Sequence, residues 1–305
     1  MGEINKASEP LVSVRVITYN SSQTVVETLD SIKKQTYQNI ELIISDDCSP
    51  DNTVEVCKIW LEANKDRFVR TELVTVAKNT GTAANVNRAI RACHGEYIKG
   101  IAGDDILEPE CISINVNNIG DALMAVSDLT YFDEDKVLPP PYDSRMLFAL
   151  THLPRKERVK LYSRTLTFFN PPSQFSSRKL IEEVGLFDES STVLEDVPFY
   201  FKVFDSDCKL AYIQQATVRY RSSGISHDTK KRLKFQRIIS DAFYKYCRPN
   251  LSIFNPIDFL VIFEKKIQRL CLDYEFNFGL RFLLSRYNFI RGLRQWMIRL
   301  TLRNN

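Results

Sequence analysis

From Leu11 to Ile17 the chain reads LVSVRVI, apolar and β-branched almost throughout, as a strand buried on both faces should be. Val25, Val26, Leu29 and Ile32 then follow helical spacing up to Gln35, with Ser21 or Ser22 placed to cap. Ile40–Ser45 (IELIIS) predicts a second strand running into Asp46-Asp47, and Asp51 or Asn52 opens a helix through Val54, Cys57 and Leu61. Thr71–Val76 reads as strand, Thr82–Cys93 as helix, Glu96–Ile101 as strand, Cys111–Asn117 as a short helix and Ala122–Tyr131 as a further strand. Such alternation implies a mostly parallel sheet with helices on both faces, an α/β fold.

The pattern loosens from Asp133 to Pro172, where Pro139-Pro140-Pro141 and Pro171-Pro172 break the chain. Helices are predicted over Arg155–Ser163, Ser177–Val184 and Glu195–Phe204, with a strand over Lys209–Arg219. After Ser226 the sequence turns to helices rich in Arg and aromatics, which sets a domain boundary near His227–Lys230. The reading is a catalytic domain over 1–229 and a basic helical region over 230–305.

Composition alters this picture in two ways. The 305 residues carry 41 Lys plus Arg against 38 Asp plus Glu, yet Lys230–Asn305 alone holds 16 basic and 5 acidic residues. A basic tail on an acidic body points the tail at something anionic: phospholipid, nucleic acid or another subunit. Seven Cys without a C-x-x-C pair, and only three His, point to reduced thiols in a cytoplasm and away from structural zinc. MGEINKASEP has no apolar core and no apolar run is long enough to span a bilayer, so a secreted or membrane-spanning chain is not expected. His94 and His152 show no partner pattern.

In doubly wound sheets ligands bind at the carboxyl ends of the strands. Those ends here carry Thr18-Tyr19-Asn20, Asp46-Asp47, Lys78-Asn79 and Gly103-Asp104-Asp105. Carboxylates gathered there serve either a hard divalent cation or the capping of turns and helices. A cation such as Mg²⁺ or Mn²⁺ takes one or two carboxylates and completes its shell with diphosphate oxygens. Neither G-x-G-x-x-G after the first strand nor G-x-x-x-x-G-K-[ST] occurs, so the glycine phosphate cradles of dinucleotide and Walker-type sites are missing.

The runs LVSVRVITYN, SIKKQTYQNIELIISDDCSPDNT and KNTGTAANVNRAIRACHGEYIKGIAGDDILEP, followed by IEEVGLFDES and LEDVPFYFKV, resemble the inverting glycosyltransferases of family 2, which have the GT-A fold. The resemblance covers about residues 9–226 in the family's order. It implies a nucleotide-binding half over about 9–105 and an acceptor half over about 106–229. Thr18, Tyr19 and Asn20 match the family's first nucleotide-binding loop; Asp46 and Asp47 match its paired Asp, the first of which contacts the base, commonly uracil. Asn79 and Asn87 match positions near the nucleotide. Asp104 matches the last Asp of the family's D-x-D, which holds the cation bridging the diphosphate, with Asp105 beside it. Glu195-Asp196 matches the general-base pair, with Asp196 as the base; the same residues also suit a helix N-terminus.

Three positions depart from the family. Ala102 stands where D-x-D has its first carboxylate, Val86 where an Arg usually precedes Asn87, and Ser223 where a His commonly follows Arg221, with His227 four residues further on. FFNPPSQF with Arg178 falls where family members shape the acceptor side, so Gln174, Arg178 and Arg221 are candidates there; a stiff connector is the plainer alternative. The implied activity is inverting transfer of a sugar, UDP-linked, to a glycan or a polyprenyl-diphosphate-linked acceptor in surface-polysaccharide synthesis, with Mn²⁺ or Mg²⁺ as cofactor. A catalytically inactive homologue and a nucleotidyltransferase are the alternatives, and nucleic acid is not an expected partner. In Arg291–Arg303, Leu293, Trp296, Met297 and Leu300 form a stripe beside Arg291, Arg294 and Arg299. That stripe suits the cytoplasmic face of an anionic membrane, peripherally, or equally a helical bundle packed on the body or on another subunit.

Overall fold

The computed structural model describes residues 9–134, 136–140, 142–166, 170–190, 194–222, 229–273, 292–294 and 296–298. The expected boundary at His227 lies outside the described residues, as do Arg291, Arg299 and Leu300 of the Arg291–Arg303 stripe; Leu293 and Met297 are half-buried, Trp296 is exposed, and Arg294 pairs with Glu264 and donates to the Arg164 carbonyl. By contacts the chain forms two compact units, the first holding 1–140, 170–199 and 208–222, the second 141–169, 200–207 and 223–305.

The first unit is built on one mixed sheet. Its strands are β1 (Val12–Thr18), β2 (Ile40–Asp46), β3 (Arg70–Thr75), β4 (Tyr97–Ala102), β5 (Ile106–Leu107), β6 (Met124–Asp133), β7 (Lys136–Leu138), β8 (Gln174–Ser177) and β9 (Leu210–Arg221). They lie in the order β3-β2-β1-β4-β8-β6-β9-β5, with β7 paired to β6. The β3-β2-β1-β4 half is parallel throughout, as the strand–helix alternation requires. Beyond β4 the sheet is mixed, because β8 enters antiparallel between β4 and β6. The helices α1 (Val25–Lys33), α2 (Thr53–Asn64), α3 (Thr82–Ala92), α4 (Cys111–Asn118) and α7 (Arg178–Val184) belong to this unit.

Every residue of β2 is buried, including Glu41, Ser45 and Asp46. β1 buries its valines completely, so the centre of the sheet is dry and fixes where the strand ends emerge. Capping differs from the expected scheme. α1 begins at Val25 with no side-chain cap, while the Thr24 hydroxyl donates instead to the Gly103 carbonyl at 2.6 Å. At α2 the cap is supplied by Asp51, which accepts from the Thr53 backbone and hydroxyl; Asn52 makes no side-chain cap.

The second unit is helical: α5 (Ser144–His152), α6 (Arg155–Thr165), α9 (Thr229–Ala242) and α10 (Pro256–Asp273). The helix α8 (Asp196–Phe204) gives its first four residues to the first unit and the rest to this one. The Tyr162 ring meets Tyr200, Phe201 and Phe204, an aromatic core in which Arg164 donates to fully buried Asp258 at 2.6 Å. Among the described residues no helix is long and apolar enough to cross a membrane.

Candidate active site

A cleft of about 390 Å³ opens at the carboxyl ends of β1, β2 and β4. Its walls come from Ile17, Thr18, Tyr19 and Ser21 after β1, Asp47 after β2, Asn79, Gly81, Thr82 and Asn85 around the start of α3, and Ala102, Gly103 and Asp104 after β4. The parallel register explains the convergence: Thr18 stands opposite Asp46, and Ile17 opposite Ala102.

The paired carboxylates of β2 divide their work. Asp46 is fully buried, accepting from the Thr18 hydroxyl (2.7 Å) and from the Ser49 backbone and hydroxyl (2.8 and 2.6 Å). Asp47 reaches the cleft and gathers the loop before α3, accepting from Thr80 N (3.0 Å), the Thr80 hydroxyl (2.6 Å), Gly81 N (2.7 Å) and Arg88 (2.9 Å). Burial pushes the Asp47 carboxyl up, but the Thr80 hydroxyl, Arg88 and the two backbone donors outweigh it and hold it below the usual range. Gly81 takes φ +89°, a left-handed conformation that costs glycine little. A Cβ on Gly103 would stand 3.0 Å from Thr18 and 3.2 Å from Ser21, so a side chain there would require those two residues to give way.

The β4 turn carries the second acidic pair. Asp104 lines the cleft and reaches solvent through its mouth, yet protein atoms crowd its other sides and raise its carboxyl above the ordinary value. Asp105 points inward at 2 % exposure; its carboxylate accepts the Arg221 backbone N–H at 2.9 Å. Burial, and then the Asp104 charge, push Asp105 up to about 8. Arg221 clasps the turn, donating to the Asp104 carbonyl (2.9 Å) and to Glu27 (2.5 Å) while its guanidinium lies over the Phe132 ring at 4.6 Å.

Glu195 and Asp196 open α8, after Leu194 at φ +61°. Burial and then the Glu195 charge raise Asp196 to about 7; burial likewise raises Glu195, against which the Arg15 charge works. Tyr220, which belongs to no motif, precedes Arg221 at the end of β9. Burial and then the charges of Asp105, Asp104 and Asp196 push its hydroxyl up to about 12. Its ring sits 5.4 Å from that of Tyr131, whose hydroxyl accepts from Asn170 at 2.8 Å.

Of the sequence candidates, Thr18, Tyr19, Asp47, Asn79 and Asp104 meet at this cleft, and Tyr19 is 53 % exposed in it. Asn20, at φ +57°, is held by a bond from its N–H to Ser49. Asn87 is not among the cleft residues: its amide exchanges bonds with the Phe187 backbone and donates to Glu189 at 2.8 Å, tying α3 to the segment after α7. Gln174 is 9 % exposed in β8, and its carbonyl takes a bond from fully buried Lys99, which also holds Pro172 O at 2.7 Å. Arg178 donates to the Gly95 and Cys93 carbonyls. For Asn87, Gln174 and Arg178, then, a place in the site rests on resemblance alone, whereas Arg221 is built into it.

Among the described residues no group of three or more His, Cys, Asp or Glu stands together as a metal site. Asp104 nevertheless suits a hard cation that takes most of its shell from a diphosphate, being an accessible carboxylate on the wall of the cleft.

Known proteins share both sequence and fold. The Glycosyl transferase family 2 profile matches residues 13–185. Glycosyltransferase GlyG of Streptococcus pneumoniae is 25 % identical over 294 residues, covering 80 % of this chain and 96 % of its own. The uncharacterized glycosyltransferase EpsJ of Bacillus subtilis is 26 % identical over 219 residues, covering 70 % of this chain and 62 % of its own. S. aureus TarS 1–349 with UDP superposes at TM-score 0.56 and 16 % identity, covering 88 % of this chain and 74 % of its own. Mannosyltransferase PcManGT of Pyrobaculum calidifontis, with GDP-Man and Mn²⁺, superposes at 0.59 and 16 % identity, covering 98 % and 88 %. With a profile that spans more than half of its length and a GT-A sheet shared with solved glycosyltransferases, the chain belongs to glycosyltransferase family 2.

Proposed function

We propose that the protein is an inverting, metal-dependent transferase that moves a sugar from a nucleotide diphosphate, UDP, to a hydroxyl of a glycan or polyprenyl-diphosphate-linked acceptor in surface-polysaccharide synthesis. The observation that carries this reading is the cleft at the carboxyl ends of β1, β2 and β4, where Thr18, Tyr19, Asp47, Asn79 and Asp104 meet. A diphosphate leaving from that cleft and a hydroxyl activated by Asp196 make up a single displacement.

In this reading Thr18, Tyr19, Asp47 and Asn79 receive the nucleoside, and Arg88 keeps Asp47 and the Thr80-Gly81 loop in register for it. Asp46 and Ser49 hold the β1 and β2 ends, with Asn20 fixed to them. Asp104 takes the cation, whose chemistry is to neutralise charge growing on the departing diphosphate. Asp105 and Arg221 hold the turn that presents Asp104. Asp196 accepts the proton of the acceptor hydroxyl as it attacks the anomeric carbon; its raised pKa makes it a base matched to neutral pH. Glu195 keeps that proton affinity high by adding negative charge beside it.

One observation favours a second reading, an inactive homologue that binds the nucleotide only. Ala102 leaves Asp104 as the one carboxylate of the D-x-D pattern on the cleft wall. The two are separated by calorimetric titration of UDP, GDP, CDP and dTDP with and without Mn²⁺, followed by nucleotide release from the matching sugar donors. UDP binding only with Mn²⁺, with UDP released from a UDP-sugar, is the expected result. Metal-independent binding without release would favour the inactive homologue, and binding of another nucleotide would move the donor class.

A further inference from the structure

The second unit presents a stripe of large apolar side chains that its own core does not use. On α10, Phe259, Phe263, Lys266 and Leu270 recur at helical spacing and are all exposed, Phe259 at 49 % and Phe263 at 43 %. The two Phe rings stack on each other at 6.0 Å. Directly before the helix stand Ile253 and Phe254, the latter 91 % exposed. This turn is built to stand outward. Asn255 Oδ1 accepts from the Ile257 and Asp258 backbone, and the buried Asp258 carboxylate accepts Ser252 N at 3.1 Å while bound to Arg164. Single exposed apolar residues are ordinary on protein surfaces; a run of them on one helix face and its leading turn is a contact surface.

Charge says what it contacts. The stretch 230–305 carries 16 basic and 5 acidic residues. Three of those acids are neutralised within the unit: Asp258 by Arg164 and Lys160, Glu264 by Arg294, and Asp241 by Arg269. The stretch is therefore net positive by sequence, and Lys266 stands exposed within the stripe itself, so an anionic partner suits it better than a second copy of the same face. Phenylalanines that share a helix face with an exposed lysine suit the boundary between anionic headgroups and acyl chains.

We infer that Phe254, Phe259 and Phe263 form a wedge by which the second unit docks on an anionic bilayer. The inference deepens the reading of a lipid-linked acceptor and places contact on α10, apart from the Arg291–Arg303 stripe. It requires no turnover, so vesicle binding succeeds or fails separately from sugar transfer. The full chain is sedimented with vesicles of equal parts phosphatidylcholine and phosphatidylglycerol, and with phosphatidylcholine alone. Binding to the mixed vesicles that falls as salt rises is expected, with a loss of about tenfold or more on combining Phe254→Ser, Phe259→Gln and Phe263→Gln. A second variant, Phe259→Trp, guards against misfolding of the first: its added emission should shift to the blue on anionic vesicles and be quenched by brominated acyl chains. Unchanged sedimentation of the triple variant would overturn the proposal. So would an indole at 259 blind to vesicles, or a concentration-dependent oligomer dispersed by the same substitutions.

Discussion

Asp46 and Asp47 are neighbours in sequence with opposite environments, because successive residues leaving a strand point to opposite sides. Asp46 turns inward to Thr18 and Ser49, while Asp47 faces the cleft and holds the loop before α3. The same logic separates Asp104, at the cleft mouth, from Asp105, buried behind it. Asp196 is the residue on which the proposed chemistry turns. Asp196→Asn is expected to lower turnover by about 10²–10⁴-fold while Kd for UDP changes less than about twofold, measured by steady-state kinetics and calorimetry. Since the ionised carboxylate is the active form and burial raises it to about 7, wild-type kcat/KM should climb with pH through that value and then level off. A flat profile from acid to alkaline pH would place the base elsewhere.

At the scale of elements, the sheet is locked by a polar residue in its driest place. Glu41, in the middle of β2, accepts from the Ser13 hydroxyl on β1, the His94 and Gly95 N–H groups before β4, and Arg70 on β3. It thereby joins all four parallel strands from a side chain that is 1 % exposed. Burial pushes its carboxyl up, but the Ser13, His94, Arg70 and Gly95 bonds prevail and its pKa is lowered. The folded pKa lies below the unfolded one, so the stability it supplies is present above about 4.3 and fades as pH falls through the folded value. Glu41→Gln should cost about 2–4 kcal/mol at pH 7 and much less near pH 3, read from denaturant midpoints. Equal losses at both pH values would mean that shape, not charge, is what β2 requires there. β8 is the element that periodicity did not show: four buried residues after two prolines carry no alternation, and only their antiparallel pairing with β4 and β6 makes them a strand.

Across the whole molecule, acids from two distant stretches converge on one region of the first unit. Asp104 and Asp105 come from the β4 turn, Glu195 and Asp196 from the start of α8, and the pKa of all four is raised. A carboxyl whose folded pKa exceeds its unfolded value adds stability only while protonated, and that contribution is lost as pH rises from the unfolded value through the folded one. The fold thus favours the protonated form of these acids, a preference that suits a site whose task is to take a proton. Asp105→Asn keeps an oxygen for the Arg221 N–H and removes the charge. It should raise the thermal midpoint in metal-free buffer at pH 9 by several degrees and leave it nearly unchanged at pH 4, followed by calorimetry. A gain of equal size at pH 4 would show that packing rather than charge was relieved. On α10 of the second unit the arrangement is the converse, with Asp258 and Glu264 buried against arginines and Phe259 and Phe263 left outside.

What the sequence by itself determined was the parallel half of the sheet and the ends where ligands bind, because burial on both faces writes β1, β2 and β4 as largely apolar runs that stop at polar residues. It also determined the family, because LVSVRVITYN, IELIISDDCSPDNT and the GDD turn keep their order and spacing. What only the tertiary structure decided was which member of each polar pair faces the cleft. That depends on strand pleat and on partners such as Thr80, Arg88 and Arg221, which lie more than thirty residues away in the chain. Asn87 and Arg178 sit in motif positions, but their hydrogen bonds run to backbone at Phe187, Gly95 and Cys93. Tyr220 carries no motif of its own, and its place against Tyr131 follows from the pairing of β9 with β6. Local pattern records burial and periodicity; the meeting of distant side chains is recorded only in the fold.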